Sequence, residues 1–305
     1  MHGEGLSSVD SVNTDGFLEK RGALPPELLD WGRPRLRDLP WRRVRDPWAI
    51  LVSEVMLQQT GVERVIDRWV CFLDRFPTPA ACAASTPSAV IAEWSGLGYN
   101  RRALHLHRSA VMVVERHGGV VPFDLRSLLA LPGVGPYTAR AVLAFAHEAD
   151  VAVVDTNVAR VLARWMGRRL TSSEVQRLAD SSVPAGEGWG WNQVLLDLGA
   201  GICRARQPSC AKCPLEFSCS WRGKGPDPAV GSAGVAGRQT PFEGSDRQGR
   251  GRLVATLASG PLQKDHLPAA MGWPNDPKRA SRVVAGLLEE GLVVEEVNTY
   301  ALPGE

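Results

Sequence analysis

Lysine is almost absent from this chain. Of its 35 basic residues 30 are Arg and 5 are Lys, and no Lys occurs between Lys20 and Lys212. Covalent chemistry through a lysine amine therefore has no candidate across 21 to 211. Long apolar runs are missing too: none approaches the roughly 18 residues that a membrane helix needs. The start, MHGEGLSSVD, has neither a basic segment nor an apolar one, so no secretory leader is recognisable and a cytosolic protein without a membrane partner is expected. A spread of cysteines that would suit disulfides is also lacking. Four of the 6 Cys crowd into 203–219 while Cys71 and Cys82 stand alone, which points to metal binding.

The near-neutral total charge of +2 conceals a division. Residues 31–224 carry 25 basic and 17 acidic side chains, a balance of +8; residues 1–30 carry 2 and 6, and residues 225–305 carry 8 and 10. A basic body lies between two acidic ends. With 44% hydrophobic and 22% charged residues the 305-residue chain can bury a substantial core, divided over two or three compact units.

Residues 1–25 are rich in Gly, Ser and acids without periodicity and are expected to be disordered. From 26 to 223 the apolar residues recur at three-to-four spacing in segments such as PWAILVSEVMLQQ, RVIDRWVCFLDRF, RALHLHRSAVMVVERHG and NVARVLARWMG, so this body is expected to be all-helical. The VAVV run at 151–154 is too isolated to build a sheet. Residues 224–245, rich in Gly, Pro and Ser, read as a linker. In 246–305 three short helical stretches precede LVVEEVNTYALP, which alternates like a hairpin, the plan of a winged-helix-like module. Its last 23 residues hold five Glu and no Lys or Arg, so packing or a protein partner is expected of it rather than DNA readout.

Four signals carry chemistry. Cys203, Cys210, Cys213 and Cys219, with gaps of six, two and five residues, can hold a four-thiolate centre. Structural zinc usually takes two close pairs of ligands, whereas this spacing suits a larger object such as a [4Fe-4S] cube; zinc remains the rival. Arg204, Arg206, Lys212, Arg222 and Lys224 surround the cysteines. Second, LPGVGPYT at 131–138 lies between two helical stretches: Gly133, Val134 and Gly135 form a loop whose glycines allow unusual backbone and whose following helix offers free amides to an anion. Taken alone, such a loop is more often a tight turn. In a basic helical body it suits a grip on a nucleic-acid backbone.

Third, Glu54 is the one charged residue between Asp46 and Glu63, in a helix apolar nearly all round. Burial would raise its pKa and make it a proton donor, unless a nearby arginine holds it. Fourth, Asp155 precedes the helix that begins near Thr156; helix capping alone would explain it, and that position would also hold its carboxylate charged. One acid kept neutral and one kept ionised is the pairing that cleaves glycosidic bonds.

SEVMLQQT at 53–60, GLGY at 96–99, LPGVGPYTA at 131–139, Asp155-Thr156-Asn157-Val158 and the cysteine spacing stand in one order, and together they closely resemble the adenine DNA glycosylase (MutY) family of helix-hairpin-helix glycosylases over about 25–224. The resemblance implies two helical subdomains, with the hairpin and an iron-sulfur loop, and removal of adenine opposite 8-oxoguanine or guanine in double-stranded DNA, by a monomer in the bacterial cytosol and nucleoid. It implies that Glu54 protonates the adenine and activates water, that Asp155 stabilises the sugar cation, and that Tyr137 and Asn157 support this chemistry. By the same matching Arg42 and Gln193 look like adenine-pocket residues, Gln59 and Tyr99 like a wedge that enters the duplex, and Thr60 lies near the opposing base. The four cysteines would hold a [4Fe-4S] cluster. Asn100 stands where the family usually has a second aromatic, and no large C-terminal domain follows the linker. A bifunctional glycosylase like endonuclease III would need a catalytic Lys where Tyr137 stands; a mismatch thymine glycosylase would not need Glu54; a non-catalytic iron-sulfur DNA-binding protein would need neither carboxyl.

Overall fold

A computed structural model of the chain describes residues 23–235 and 241–304. Most of the expected disordered lead, residues 1–22, and residues 236–240 of the expected linker lie outside the described residues. The helices are α1 (Glu27–Gly32), α2 (Pro47–Leu57), α3 (Val62–Arg75), α4 (Pro79–Ala83), α5 (Pro87–Glu93), α6 (Arg101–His117), α7 (Leu125–Leu129), α8 (Pro136–Ala146), α9 (Thr156–Met166), α10 (Ser172–Ser182), α11 (Gly188–Asp197), α12 (Asp246–Leu257), α13 (Leu267–Ala270) and α14 (Pro277–Glu289). The body is helical, as the periodicity predicts, and the VAVV run is extended without pairing. Among the described residues no helix is long and apolar enough to cross a membrane.

Side chains at the joins set where the helices begin. Asp46 caps α2 by accepting from the amides of Trp48 and Ala49, with Pro47 in the first turn, and Thr171 and Glu174 form a reciprocal capping box at the head of α10. Each such cap contributes about 1 kcal/mol. The capping box is the signal for α10, a helix that the apolar pattern alone leaves out. The indoles of Trp48 on α2 and Trp69 on α3 donate to Phe76 O and Ala49 O, both at 2.9 Å, so these two buried N–H groups are paired.

The chain folds into two compact units. One contains residues 23–36 and 154–235: α9 packs against α10, α11 and a π-helical turn at Leu198–Ile202, and α1 packs against α11. The stretch expected to start the linker belongs to this unit. Residues 224–235 are packed, not free: Ala229 is 2% exposed, Asp227 pairs with Arg164 at 2.6 Å, and Ala233 N donates to Leu170 O at 3.0 Å. Arg164, 1% exposed, requires a counter-charge, and the Gly/Pro-rich segment supplies it.

The other unit contains residues 37–153 and 241–304. Here α2 is the central helix, buried from Trp48 to Met56 and packed on α8, α3 and α6; each fully buried side chain such as Leu51 or Val52 contributes about 2 kcal/mol. The C-terminal residues of this unit fold as α12, α13 and α14 packed on one another beside a three-stranded antiparallel sheet, in which β1 (Leu262–Gln263) and β2 (Val294–Glu295) flank β3 (Thr299–Ala301). They dock on the helical body, with Ser88 N donating to Pro303 O at 3.1 Å.

Candidate functional site

Glu54 lies in α2 with 4% of its surface exposed, as its apolar surroundings predict. The end of α2 leads to Gln59, which adopts a left-handed backbone (φ 56°), and to the buried Thr60. Tyr99 also has a left-handed backbone (φ 47°), yet its side chain is 40% exposed. Both conformations are costly for residues with a side chain. One guanidinium holds them. Arg102 Nη1 donates to Val55 O, Met56 O and Gln58 O at 2.8, 2.8 and 2.7 Å, while Nη2 donates to Gly98 O at 2.8 Å and Thr60 Oγ1 at 3.1 Å, and Nε to Tyr99 O at 3.3 Å. Burial pulls this group down to about 10, so it stays charged at neutral pH. Arg42 is buried in a short 3₁₀ turn and donates to Arg37 O at 3.0 Å.

In the same unit α7 and α8 form the helical hairpin. Gly133 has φ +76°, and a Cβ there would stand 2.7 Å from the His105 side chain, so only glycine fits. The sequence assigns Gly135 a similar freedom, and the structure corrects it: Gly135 is ordinary extended backbone (φ −96°, ψ 179°) with open space where a Cβ would be. Val134 is buried and its amide donates to Leu131 O at 3.1 Å, which closes the turn, and the head of α8 has no side-chain cap. A helix head of this kind is the sort of place that suits an anion. Tyr137, in that first turn, is half-buried.

In the other unit Asp155 caps α9. Oδ1 accepts from Asn157 N at 2.8 Å and Val158 N at 2.7 Å, and Oδ2 accepts from Asn157 Nδ2 at 2.6 Å. The sequence expects this position to keep the carboxylate charged, and these donors do favour the charged form. Burial pushes the carboxyl up, and this outweighs the Val158 and Asn157 donors and the Arg160 charge. Arg160 donates in turn to Asn157 Oδ1 at 2.7 Å, Gly199 O at 2.8 Å and Cys203 O at 2.8 Å. The π-helical turn brings Gly199 within reach, and a Cβ on Gly199 would stand 2.6 Å from Asn157 Cβ. A continuous set of hydrogen bonds therefore runs from Asp155 to the first cysteine. Gln193 is buried in α11.

Cys203, Cys210, Cys213 and Cys219 line one cavity of about 30 Å³ together with Arg164 and Trp221. Arg164 donates to Cys203 Sγ at 3.4 Å and stacks over the Trp221 ring at 4.4 Å. Burial raises the Cys203 thiol, and raises Cys213 to about 11. Among the described residues no three His, Cys, Asp or Glu side chains are grouped closely enough for a single metal ion. Arg204, Arg206, Lys212, Arg222 and Lys224 around the cavity are exposed.

The motifs do not single out Arg102, Arg160 or Arg164. Their one sequence signal is a charge on an otherwise apolar helical stripe, which local patterning cannot distinguish from a surface arginine.

A family model described as HhH-GPD superfamily base excision DNA repair protein matches residues 52–185, a span holding Glu54, the hairpin, Asp155 and Asn157. The adenine DNA glycosylase of Mycolicibacterium smegmatis is 41% identical over 287 residues, 92% of this chain and 96% of that protein. The chain belongs to the adenine DNA glycosylase family. The adenine DNA glycosylase of Homo sapiens is 37% identical over 231 residues, which cover 71% of this chain and 42% of that protein. Among solved structures, a thermostable thymine-DNA glycosylase has a TM-score of 0.60 at 32% identity, over 64% of this chain and 93% of that one. A trapped endonuclease III-DNA covalent intermediate has a TM-score of 0.58 at 25% identity, over 65% of this chain and 94% of that one. This adenine DNA glycosylase family member is thus a base-excision repair glycosylase with the helix-hairpin-helix fold.

Proposed function

We propose that this chain is a monofunctional glycosylase that acts as a monomer on double-stranded DNA and hydrolyses the N-glycosidic bond of adenine mispaired with 8-oxoguanine or guanine. The observation that carries this is the buried Glu54 in an apolar helix, since burial favours the protonated carboxyl that a leaving adenine requires. Glu54 gives its proton to the adenine as the bond to the sugar breaks, and then takes a proton from the attacking water. Asp155 in its ionised form stabilises the oxocarbenium ion, with Asn157 orienting the carboxylate through the 2.6 Å hydrogen bond. Tyr137 supports this chemistry, and Arg42 and Gln193 take the adenine. Gln59 and Tyr99 form the wedge that offsets part of the stacking lost on extrusion, next to Thr60 at the opposing base. Gly133, Val134 and Gly135 shape the backbone grip, with the uncapped head of α8 facing phosphate. The absence of Lys across 21–211 supports base release without strand cleavage.

Cys203, Cys210, Cys213 and Cys219 fit a [4Fe-4S] cluster. They share a cavity, an arginine faces the first of them, and their spacing departs from the two close pairs usual for structural zinc. When bound, such a cluster cross-links residues 203–219 and so orders the exposed basic residues around it. The 60-residue C-terminal segment, 246–305, is a winged-helix-like module.

Single-turnover release from A opposite 8-oxoguanine, A opposite G, A opposite C and T opposite G tests the assignment. Adenine release with the first two is expected, with Glu54→Gln losing about three or more orders of magnitude in rate while duplex binding is kept. Wild-type protein that binds these duplexes and releases no base would refute the enzymatic role, release of thymine alone would favour the thymine-glycosylase chemistry of the structural relative, and borohydride trapping of a stoichiometric adduct would overturn monofunctionality.

A further inference from the structure

The exposed side chain of Tyr99 is touched by a residue from the far end of the chain. Arg247, in the first turn of α12, donates from Nη1 to Tyr99 Oη at 3.0 Å, a contact across 148 residues of sequence. From the other direction the Arg102 guanidinium lies 5.6 Å from the Tyr99 ring centroid. A strained, half-exposed tyrosine is thus held at its backbone and ring by one arginine and at its hydroxyl by another.

The position of Arg247 is itself determined by the docking of the C-terminal module. Ser245 caps α12 through Gln248 N, and Asp246 beside it is paired to Arg279 at 2.7 Å and to Arg282 at 2.8 Å, which joins the head of α12 to α14. Arg250 pairs with Glu290 beyond the end of α14. The module meets the body at several further points: Pro303 O accepts from Ser88 N, and a Cβ on Gly291 would stand 3.2 Å from Arg108 Nη2 on α6. Two acidic residues of this C-terminal stretch are engaged as well, Glu290 after α14 by Arg250 and Glu295 in β2 by Lys264 at 2.6 Å. The acidic tail therefore does not characterise the part of the module next to Tyr99. That part presents Arg247, with the 58% exposed Phe242 at 5.9 Å from its guanidinium.

We infer that the C-terminal module braces the wedge, with Arg247 as the positioning residue that sets the Tyr99 ring for insertion into the duplex. The inference rests on the assignment of Tyr99 as wedge made above. A phenol hydroxyl anchored by a guanidinium loses most of its freedom about the side-chain torsions, so less ordering remains to be done when the ring enters the stack. In this way the module contributes to extrusion without reading a base.

The test uses the full chain with 2-aminopurine placed beside the target adenine, so that fluorescence reports unstacking independently of base release. Arg247→Ala is expected to lower both the fluorescence rise and the single-turnover rate about fivefold, in keeping with loss of one partly exposed charged hydrogen bond. Tyr99→Phe, which keeps the ring and removes the acceptor, is expected to give the same loss, and the double variant no more than either single one. Arg247→Lys is expected to recover part of it. Additive losses in the double variant, or a wild-type fluorescence rise in Arg247→Ala, would overturn the brace. Measured in a Glu54→Gln background the unstacking signal needs no chemistry, so failure of the brace and failure of the glycosylase assignment remain distinguishable.

Discussion

At Arg102 a single side chain meets carbonyls from two separate segments of the chain, and its burial leaves few alternatives for them. Arg102→Lys offers three donors on a flexible stem in place of a planar fork. Several buried acceptors would then lack partners, at a cost of about 2 to 4 kcal/mol in total, measurable by urea denaturation. Wild-type stability in Arg102→Lys would show that water satisfies these carbonyls.

Asp155 behaves differently, and its sign can be worked out. Its folded carboxyl titrates above the ordinary aspartate value of 3.8 because burial dominates. Between that value and its raised one the folded chain holds a proton that the unfolded chain has released, so this group's contribution to stability falls as pH rises through the window. Activity that requires the carboxylate changes in the opposite direction and is lost as pH falls through the raised value. Asn157→Ala removes the 2.6 Å donor and raises the carboxyl further, so the acid limb of the single-turnover rate is expected to move to higher pH. An unmoved limb would mean that another group controls it.

Among the elements, the hairpin separates two glycines that look alike in sequence. Gly133→Ala places a methyl group 2.7 Å from His105 at a φ of +76°, and a loss of about 1 to 3 kcal/mol in stability is expected from strain and displacement together. Gly135→Ala enters open space at an ordinary extended φ. Its melting temperature is expected to match the wild type, whereas duplex affinity falls by about 1 kcal/mol, because the methyl group occupies the approach of a phosphate. Thermal melts and duplex titrations on the two variants separate conformation from contact, and equal effects in both assays would contradict the division. The helices themselves were legible wherever an apolar stripe ran for three turns, as in α2, α6 and α9. The short α4 and the polar α10 were not, since their few apolar residues set no period and only their capping residues mark them.

For the molecule as a whole, the uneven charge and the ordered motifs were visible without coordinates, and so was the set of cysteines. Each depends on residue identity and spacing along the chain, which folding does not alter. The absence of lysine over 21–211 likewise excludes Schiff-base chemistry in that stretch whatever the fold. Other properties arise from contacts between distant segments. The pinning of the Gln59 and Tyr99 loops joins residues more than 40 positions apart, the direction of the Asp155 titration follows from how deeply it is buried, and the docking of α12 at Tyr99 spans 148 positions. Local pattern carries no information about such pairs. Sequence alone determined which chemical groups the protein has and in what order they occur; the tertiary structure decided which of them touch and how far each is removed from water, because burial and contact come into being only when the chain closes on itself.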